Sequence, residues 1–381
     1  MKTIDQIINF DSKNLSRLLE AIPGSRLIGG CVRDHLLGLE SHDIDIATKL
    51  RPEEVVEVLT QHKIKAIPTG IDFGTVTAVI DGESFEITSL RKDLDCDGRH
   101  ATVEYTDDFA EDAARRDFTI NALSYCPSEH KIYDYYGGLE DLEAKRVKFI
   151  GDPKKRISED HLRILRFFRF SSRYAADLDK QGYEACLAMK DKLKTLPRER
   201  INLELDKLLV APKATSVLEA MLQAEIDIMD GLEVDASFSA DGLNLHSIYA
   251  MLLRQNSTSK LKSALPHFRF SRKKVYEILD LSDFIQGEHD RSIHRLLELW
   301  VDGKDAMQYL LIAERLDVIR PRDVEALKEK FKLRPPKFPL NGGDLRGRFS
   351  GSKIGMKLTS LKRRWILSDF AMTKDQLLDL L

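Results

Sequence analysis

Cysteine is scarce: Cys31, Cys96, Cys126 and Cys186 are the only four in 381 residues, and no two take a C-x-x-C spacing. A disulfide framework and a cysteine-built zinc site are therefore not expected. The ten histidines never form H-E-x-x-H, which removes that zinc-protease signature. The one His289–Asp290 dipeptide reads as a surface pair. No apolar run approaches the ~20 residues that span a bilayer. The opening MKTIDQIINFDSKNLSRLLE lacks a basic start followed by an apolar core, so no secretory signal is expected and the protein reads as cytoplasmic. Neither sign of charge dominates, since 59 Lys and Arg against 62 Asp and Glu leave a net −3. Any nucleic-acid partner must then meet a local basic surface.

What is there is a chain of two characters. Up to about residue 150, RLIGG, DIDIAT, GTVTAVI and SFEITSL are short, β-branched and bounded by Gly or Asp, which reads as strands. Between them RPEEVVEVLTQHK opens on a proline and carries apolar residues at helical spacing. After Asp152 long helical patterns dominate. The expected class is α+β, with a mixed head followed by a mostly helical remainder.

Three constellations carry chemistry. In LIGGCVRDHLLGLESHDIDIAT, residues 27–48, Asp43 and Asp45 are two apart, so a strand would turn both carboxylates to one face and Ile44 and Ile46 to the other. Two such carboxylates repel unless a cation sits between them, and hard oxygen ligands favour Mg²⁺, with Mn²⁺ as a substitute. Upstream, Gly29-Gly30 leads into a helix expected over 32–37. Glycines let backbone N–H groups approach phosphate oxygens, a helix N-terminus favours anions, and Arg33 adds a cation. A chance surface D-x-D is the alternative. Glu86 in SFEITSLR alternates with Phe85 and Ile87 and is the candidate third carboxylate of a two-metal site, with an exposed structural glutamate as the alternative.

In ARRDFTINALSY, residues 114–125, Arg116 is placed to reach a triphosphate, with Asp117 and Asn121 fixing sugar or loop; capping by Asp117 is the plainer reading. In ISEDHLRILRFFRFSSRY, residues 157–174, a helix apolar nearly all round also carries Asp160, Arg163, Arg166 and Arg169 every third residue. Such a helix should be buried, its arginines need anionic partners that a triphosphate would supply, with ordinary salt bridges along the helix as the alternative, and Asp160 and Arg163 would touch at i,i+3. If that pair reads a base, a carboxylate accepts and a guanidinium donates. This matches cytosine and adenine and mismatches uracil and guanine, at about 1–3 kcal/mol for each unsatisfied buried group.

GGCVRD with DIDIAT, RRDFTINAL, YDYYGGLEDLEAKRVKFIGDP and EDHLRILRFFRF, in this order across roughly residues 25–175, resemble the class II tRNA nucleotidyltransferase and poly(A) polymerase family of the polymerase-β-like superfamily. The resemblance implies a nucleotidyltransferase head over 1–150, a neck over 151–210, a body over 211–335 and a tail over 336–381. It implies metal binding by Asp43 and Asp45, nucleotide contact by Gly30 and Arg33, and triphosphate contact by Arg116. Asp160 and Arg163 would be the amino-acid template for the base, with Arg166 and Arg169 nearby. RKDLDCDGRHATVEYTDD, 91–108, corresponds to the family's mobile loop. FPLNGGDLRGRFSGSKIG, 338–355, looks like its tRNA-contacting segment, where Arg346, Arg348 and Lys353 suit phosphates. His289–Asp290 alone does not amount to the HD phosphohydrolase domain of longer relatives.

The implied activity is addition of C, C and A from CTP and ATP to tRNA 3′ ends, with no membrane and no obligate protein partner. CC-only, A-only and poly(A)-adding relatives remain alternatives, though the chain ends in TKDQLLDLL where bacterial poly(A) polymerases usually carry a basic extension. A tRNA-binding protein without catalysis and a small-molecule nucleotidyltransferase are the further readings; both aspartates of D-I-D are present, against the former.

Overall fold

The computed structural model describes residues 2–5, 12–41, 43–96, 101–287 and 291–381; His289–Asp290 lies outside them. Two compact units divide the chain, Met1–Lys213 and Ala214–Leu381.

The first unit holds the strands β1 Lys2–Asp5, β2 Arg26–Ile28, β3 Asp45–Thr48, β4 Lys65–Gly70, β5 Thr75–Ile80, β6 Glu83–Ser89, β7 Arg91–Cys96, β8 Ala101–Tyr105, β9 Ser124–Cys126 and β10 Lys131–Asp134. Its helices are α1 Lys13–Ala21, α2 Gly30–Leu36, α3 Pro52–Gln61, α4 Phe109–Ala114, α5 Gly138–Glu143, α6 Pro153–Glu159, α7 Arg163–Tyr174, α8 Lys180–Met189 and α9 Arg198–Leu209. Eight strands form one sheet in the order β1-β10-β9-β2-β3-β6-β5-β4. Only β3 and β6 run parallel among its described pairings, and their register sets Asp45 beside Glu86. Alternation decides the faces. On β6, Phe85 and Ile87 are buried while Glu86 is exposed, and α3 covers the apolar side with Val55 and Leu59. Pro52 starts that helix, where its missing N–H costs nothing, and Arg51 N–H donates to Glu54 at 2.7 Å.

The segment 91–108 is a separate two-stranded ribbon of β7 and β8, with Arg91 opposite Tyr105 and Lys92 opposite Glu104. Residues 97–100 of that expected loop lie outside the described residues.

The helical part is seated by rings. Phe118 meets Phe149 at 4.8 Å and Phe170 at 5.3 Å, and Phe149 stacks on Phe167 at 5.6 Å. Each ring so buried contributes about 1.5–3 kcal/mol relative to exposure. Gly182 on α8 lets that helix close on Phe167, since a Cβ there would sit 2.6 Å from the ring.

The single helix expected over 157–174 is broken. α6 ends at Glu159, Asp160 is extended at φ −150°, and α7 begins at Arg163. The cause is local: Asp160 Oδ1 accepts from the Leu162 amide at 3.1 Å, a side-chain bond that competes with the helical ladder. The remainder, 163–174, is buried on most sides, as its apolar circumference predicts.

The second unit has helices from Ala214–Gln223 to Lys374–Leu378 and no strand among the described residues. Tyr249, Phe268 and Phe284 are fully buried there, and Trp365 packs edge-on to Phe370 at 5.0 Å. Among the described residues no helix is long and apolar enough to cross a membrane.

Candidate nucleotide-binding and catalytic site

A cavity of about 450 Å³ in the first unit brings most of the candidate residues together. Gly29, Gly30, Arg33, Asp45, Arg116, Asp117, Asn121, Asp160, Arg163 and Arg166 all line it. A second cavity of about 430 Å³ adjoins it, sharing Gly30, Arg33, Asp45 and Phe170 and adding Asp43 and Arg169. Glu86 is placed beside Asp45 by strand register but does not line the first cavity.

Asp43 precedes β3 rather than lying in it, yet it reaches the second cavity together with Asp45. Burial pushes the Asp45 carboxyl upward, Glu86 adds to that, Arg116 opposes it and Asp43 contributes last. Neighbouring carboxylates of this kind are a donor set that suits a divalent cation. Among the described residues no three His, Cys, Asp or Glu side chains converge enough to cage an ion.

Gly29 has φ 71°, the left-handed region that favours glycine, and a Cβ there would stand 3.1 Å from Arg116 Nη1. Its own N–H is spent on Leu123 O at 3.0 Å, so it gives room to Arg116 and no amide to a phosphate. Arg116 lies just past the C-terminal end of α4 and is tied to buried Asp112 at 3.1 Å; Arg115, the C-cap, pairs with the same carboxylate at 2.9 Å. Arg33 is buried and bonded to Asp34, Asn121 and Tyr174. It lines both cavities with its donors already engaged.

Asp117 and Asn121 are 6% and 7% exposed and serve each other. Asn121 Nδ2 donates to Asp117 Oδ1 at 2.9 Å, and Arg166 Nε donates to Asp117 Oδ2 at 2.7 Å. Burial alone would raise Asp117, but the Arg166 guanidinium and the Asn121 and Phe118 donors outweigh it and hold its carboxyl down at about 2. Arg169 pairs with Glu204 at 3.1 Å. Arg163, Arg166 and Arg169 thus find their anions in the protein, which favours the salt-bridge alternative over a triphosphate as their partner. Sequence reading missed Asp117 and Glu204 as those partners because nothing local announces a pairing across 49 or 35 residues.

Asp160 and Arg163 both line the first cavity but do not pair, contrary to the i,i+3 contact expected of a continuous helix. Arg163 donates to Glu159 at 2.7 Å and to the Arg156 and Arg115 carbonyls at 2.9 and 3.0 Å. Asp160 instead receives Arg200 at 2.8 Å. Arg200 lines the cavity too and was not singled out from the sequence; it stands in RERINLEL on α9, where a charged run reads as a solvated face.

In the second unit, Arg346 and Lys353 are exposed, and Arg348 Nη1 donates to the Leu378 carbonyl at 3.0 Å.

Residues 25–148 match the family described as Poly A polymerase head domain, and residues 177–226 the one described as Probable RNA and SrmB-binding site of polymerase A. The chain is 33% identical over 376 residues to CCA tRNA nucleotidyltransferase 1, mitochondrial, of Danio rerio, covering 93% of this chain and 86% of that protein. It is 34% identical over 380 residues to the Homo sapiens protein of that name, covering 93% and 85%. In fold it resembles the Bacillus stearothermophilus CCA-adding enzyme in complex with CTP, with a TM-score of 0.75 at 23% identity over 96% of this chain and 95% of that one. Identity to full-length relatives on this scale, with the head matched along its length, makes this chain a member of the class II tRNA nucleotidyltransferase and poly(A) polymerase family.

Proposed function

We propose that the chain is a template-independent CCA-adding tRNA nucleotidyltransferase. It joins C, C and then A from CTP and ATP to the tRNA 3′ end. In each cycle the terminal 3′-oxygen bonds to the α-phosphorus, the bond to pyrophosphate breaks, and the hydroxyl proton leaves to solvent. The observation that carries the reading is the single cavity in which Asp45, Arg116, Asp160 and Arg163 meet; the activity its full-length relatives share in name sets the direction.

Asp43 and Asp45 would hold the Mg²⁺ ions (or Mn²⁺), with Glu86 as a third carboxylate. Mg²⁺ is commonly bound by one or two carboxylates plus substrate phosphates, which suits a carboxylate set that cages no ion alone. When bound, the ions supply a more nucleophilic hydroxyl and neutralise charge at the transferred phosphate. Arg116 meets the triphosphate, while Gly29, Asp117 and Asn121 hold the arginines in place. Asp160 accepts the amino group of C or A, and Arg163 donates to the adjacent ring nitrogen. Residues 1–150 act as head, 151–210 as neck, 211–335 as body and 336–381 as an RNA-contacting tail. A reducing compartment such as the cytoplasm suits the free, buried Cys31, Cys126 and Cys186.

The test uses three tRNA transcripts ending before CCA, after C and after CC, incubated with Mg²⁺ and CTP, ATP or both. Growth of all three to one CCA end is expected at single-nucleotide resolution. Arrest at CC, addition of A alone to the CC end, or an open A ladder assigns the protein to another branch. RNA binding without extension removes the enzyme reading.

A further inference from the structure

α7 carries Arg163 as its first residue, with Asp160 just before it, so the direction of this helix decides where a base is read. Two fasteners hold the helix. Near its start, Arg166 donates to Asp117 at 2.7 Å. The second is Tyr174, its last residue, about 12 Å further along at 1.5 Å per residue. The Tyr174 hydroxyl accepts from Arg33 Nη2 at 2.7 Å and donates to Asp34 Oδ1 at 2.9 Å, both on α2. A phenol both donates and accepts, and here each capacity is used. Burial pushes the phenol up, Arg33 opposes and Asp34 adds, so the group stays protonated and able to donate. Its ring lies 4.1 Å from the Arg33 guanidinium and stacks on Phe170.

These bonds close a circuit that begins and ends on α7. From Arg166 it runs through Asp117 to Asn121, whose Oδ1 accepts from Arg33 Nη1, and Arg33 returns it to α7 through Tyr174. A helix held at one point can swing about that point; held at two, it keeps its angle. α2 starts at Gly30, on the wall of the nucleotide cavity. The circuit therefore fixes the base-reading end of α7 against the helix that opens beside the phosphate groups. Reacting groups misplaced by about 1 Å can lose about 100-fold in rate, although base and triphosphate each keep their own contacts. Phenylalanine at 174 would preserve the ring packing and open the circuit at one oxygen.

We propose that Tyr174 is a positioning residue for nucleotide transfer: its hydroxyl clasps Arg33 and Asp34 and so holds the base-reading helix at a fixed angle to the phosphate-binding one. The effect on transfer rests on the proposed activity, whereas the clasp itself does not, and two measurements separate them. In the first, a minihelix RNA ending in CC is extended with ATP by the parent and by Y174F, each verified folded by its melting curve. A lost alignment should lower kcat about tenfold and kcat/KM equally, with KM for ATP within about twofold of the parent. Parental kcat, or a loss confined to KM, overturns the positioning role. The second measurement is hydrogen exchange of both proteins without substrate. In Y174F the amides of 170–175 should exchange about tenfold faster, while those of 163–168, still held by Arg166 and Asp117, keep their parental rates. Parental protection at 170–175 overturns the clasp, and an equal loss of protection across the whole first unit reduces Tyr174 to a packing residue and overturns it as well. A parent that never extends RNA removes the proposed activity and leaves the clasp to be decided by exchange.

Discussion

The Asp160 carboxylate is held by Arg200, 40 residues further along the chain, while Arg163, three residues away, turns to Glu159. Oδ2 accepts from Arg200 at 2.8 Å and Oδ1 from the Leu162 amide at 3.1 Å. Asp160 and Arg200 also line a further cavity of about 420 Å³. Two anchored oxygens keep the group aimed, and each retains a lone pair for a ligand. The expected result of R200A is a carboxylate with poor aim. A hydrogen bond to a charged group is worth about 1.5–3 kcal/mol, so discrimination against UTP and GTP should fall roughly 10- to 100-fold. D160A should lose that discrimination outright. Misincorporation ratios on a tRNA awaiting its first C measure both, and parental selectivity in R200A would remove Arg200 from base recognition.

Asp117 makes the site acid-sensitive. Its carboxyl lies at about 2 against an ordinary 3.8. A folded value below the unfolded one contributes stability that is complete above about pH 5 and is lost as pH falls through 4 toward 2. At this depth of burial the contribution is about 2 kcal/mol. Melting temperature should therefore drop more steeply between pH 5 and 2.5 in the parent than in D117N. At neutral pH, D117N should itself be less stable, because Arg166 is left without its strongest anion. Parallel slopes would show that Asp117 does not carry the acid response.

Local signals were readable in advance and distant pairings were not. A glycine turn at Gly29 and the outward face of Glu86 were approachable because glycine at a strand–helix junction and alternation about Phe85 and Ile87 are set within a few residues. The break at Asp160 was hidden by a continuous apolar pattern. A side-chain bond to the Leu162 amide decided it, and hydrophobic periodicity carries no information on such a bond. The anions of Arg166 and Arg169 were sought in a ligand because Asp117 and Glu204 come from other elements. Across 211–335 helices follow from the sequence pattern, but no constellation there could be matched residue by residue.

The carboxylate pair should separate chemistry from folding. D43A/D45A removes both proposed metal ligands from the second cavity, where Asp43 is exposed and Asp45 half-buried. Transfer should fall by roughly 10³-fold or more, the scale of several kcal/mol of lost charge stabilisation. The melting temperature should hold or rise, because repulsion with Glu86 is relieved. E86Q should lose less, since Glu86 stands beside the pair rather than in the cavity. A chelator should stop the parent, and added Mg²⁺ or Mn²⁺ should restore it. Turnover surviving in the double variant would refute the metal assignment.

The three cations near the C-terminal end should not behave alike. Arg346 and Lys353 are exposed, with no ion pair among the described residues. Phosphate contact by such groups is independent of sequence and releases counterions. R346A and K353A should each lower the slope of log affinity against log salt by about one, equally for every tRNA tested. Nucleotide KM should stay put. Arg348 is different, because its Nη1 holds the Leu378 carbonyl at 3.0 Å, at the end of the last helix. R348A should therefore lower the melting temperature as well as affinity, while R346A and K353A leave it unchanged. Filter binding from 50 to 200 mM salt, beside thermal melts, distinguishes the cases. A salt slope unmoved by either single variant would take the RNA contact away from this segment.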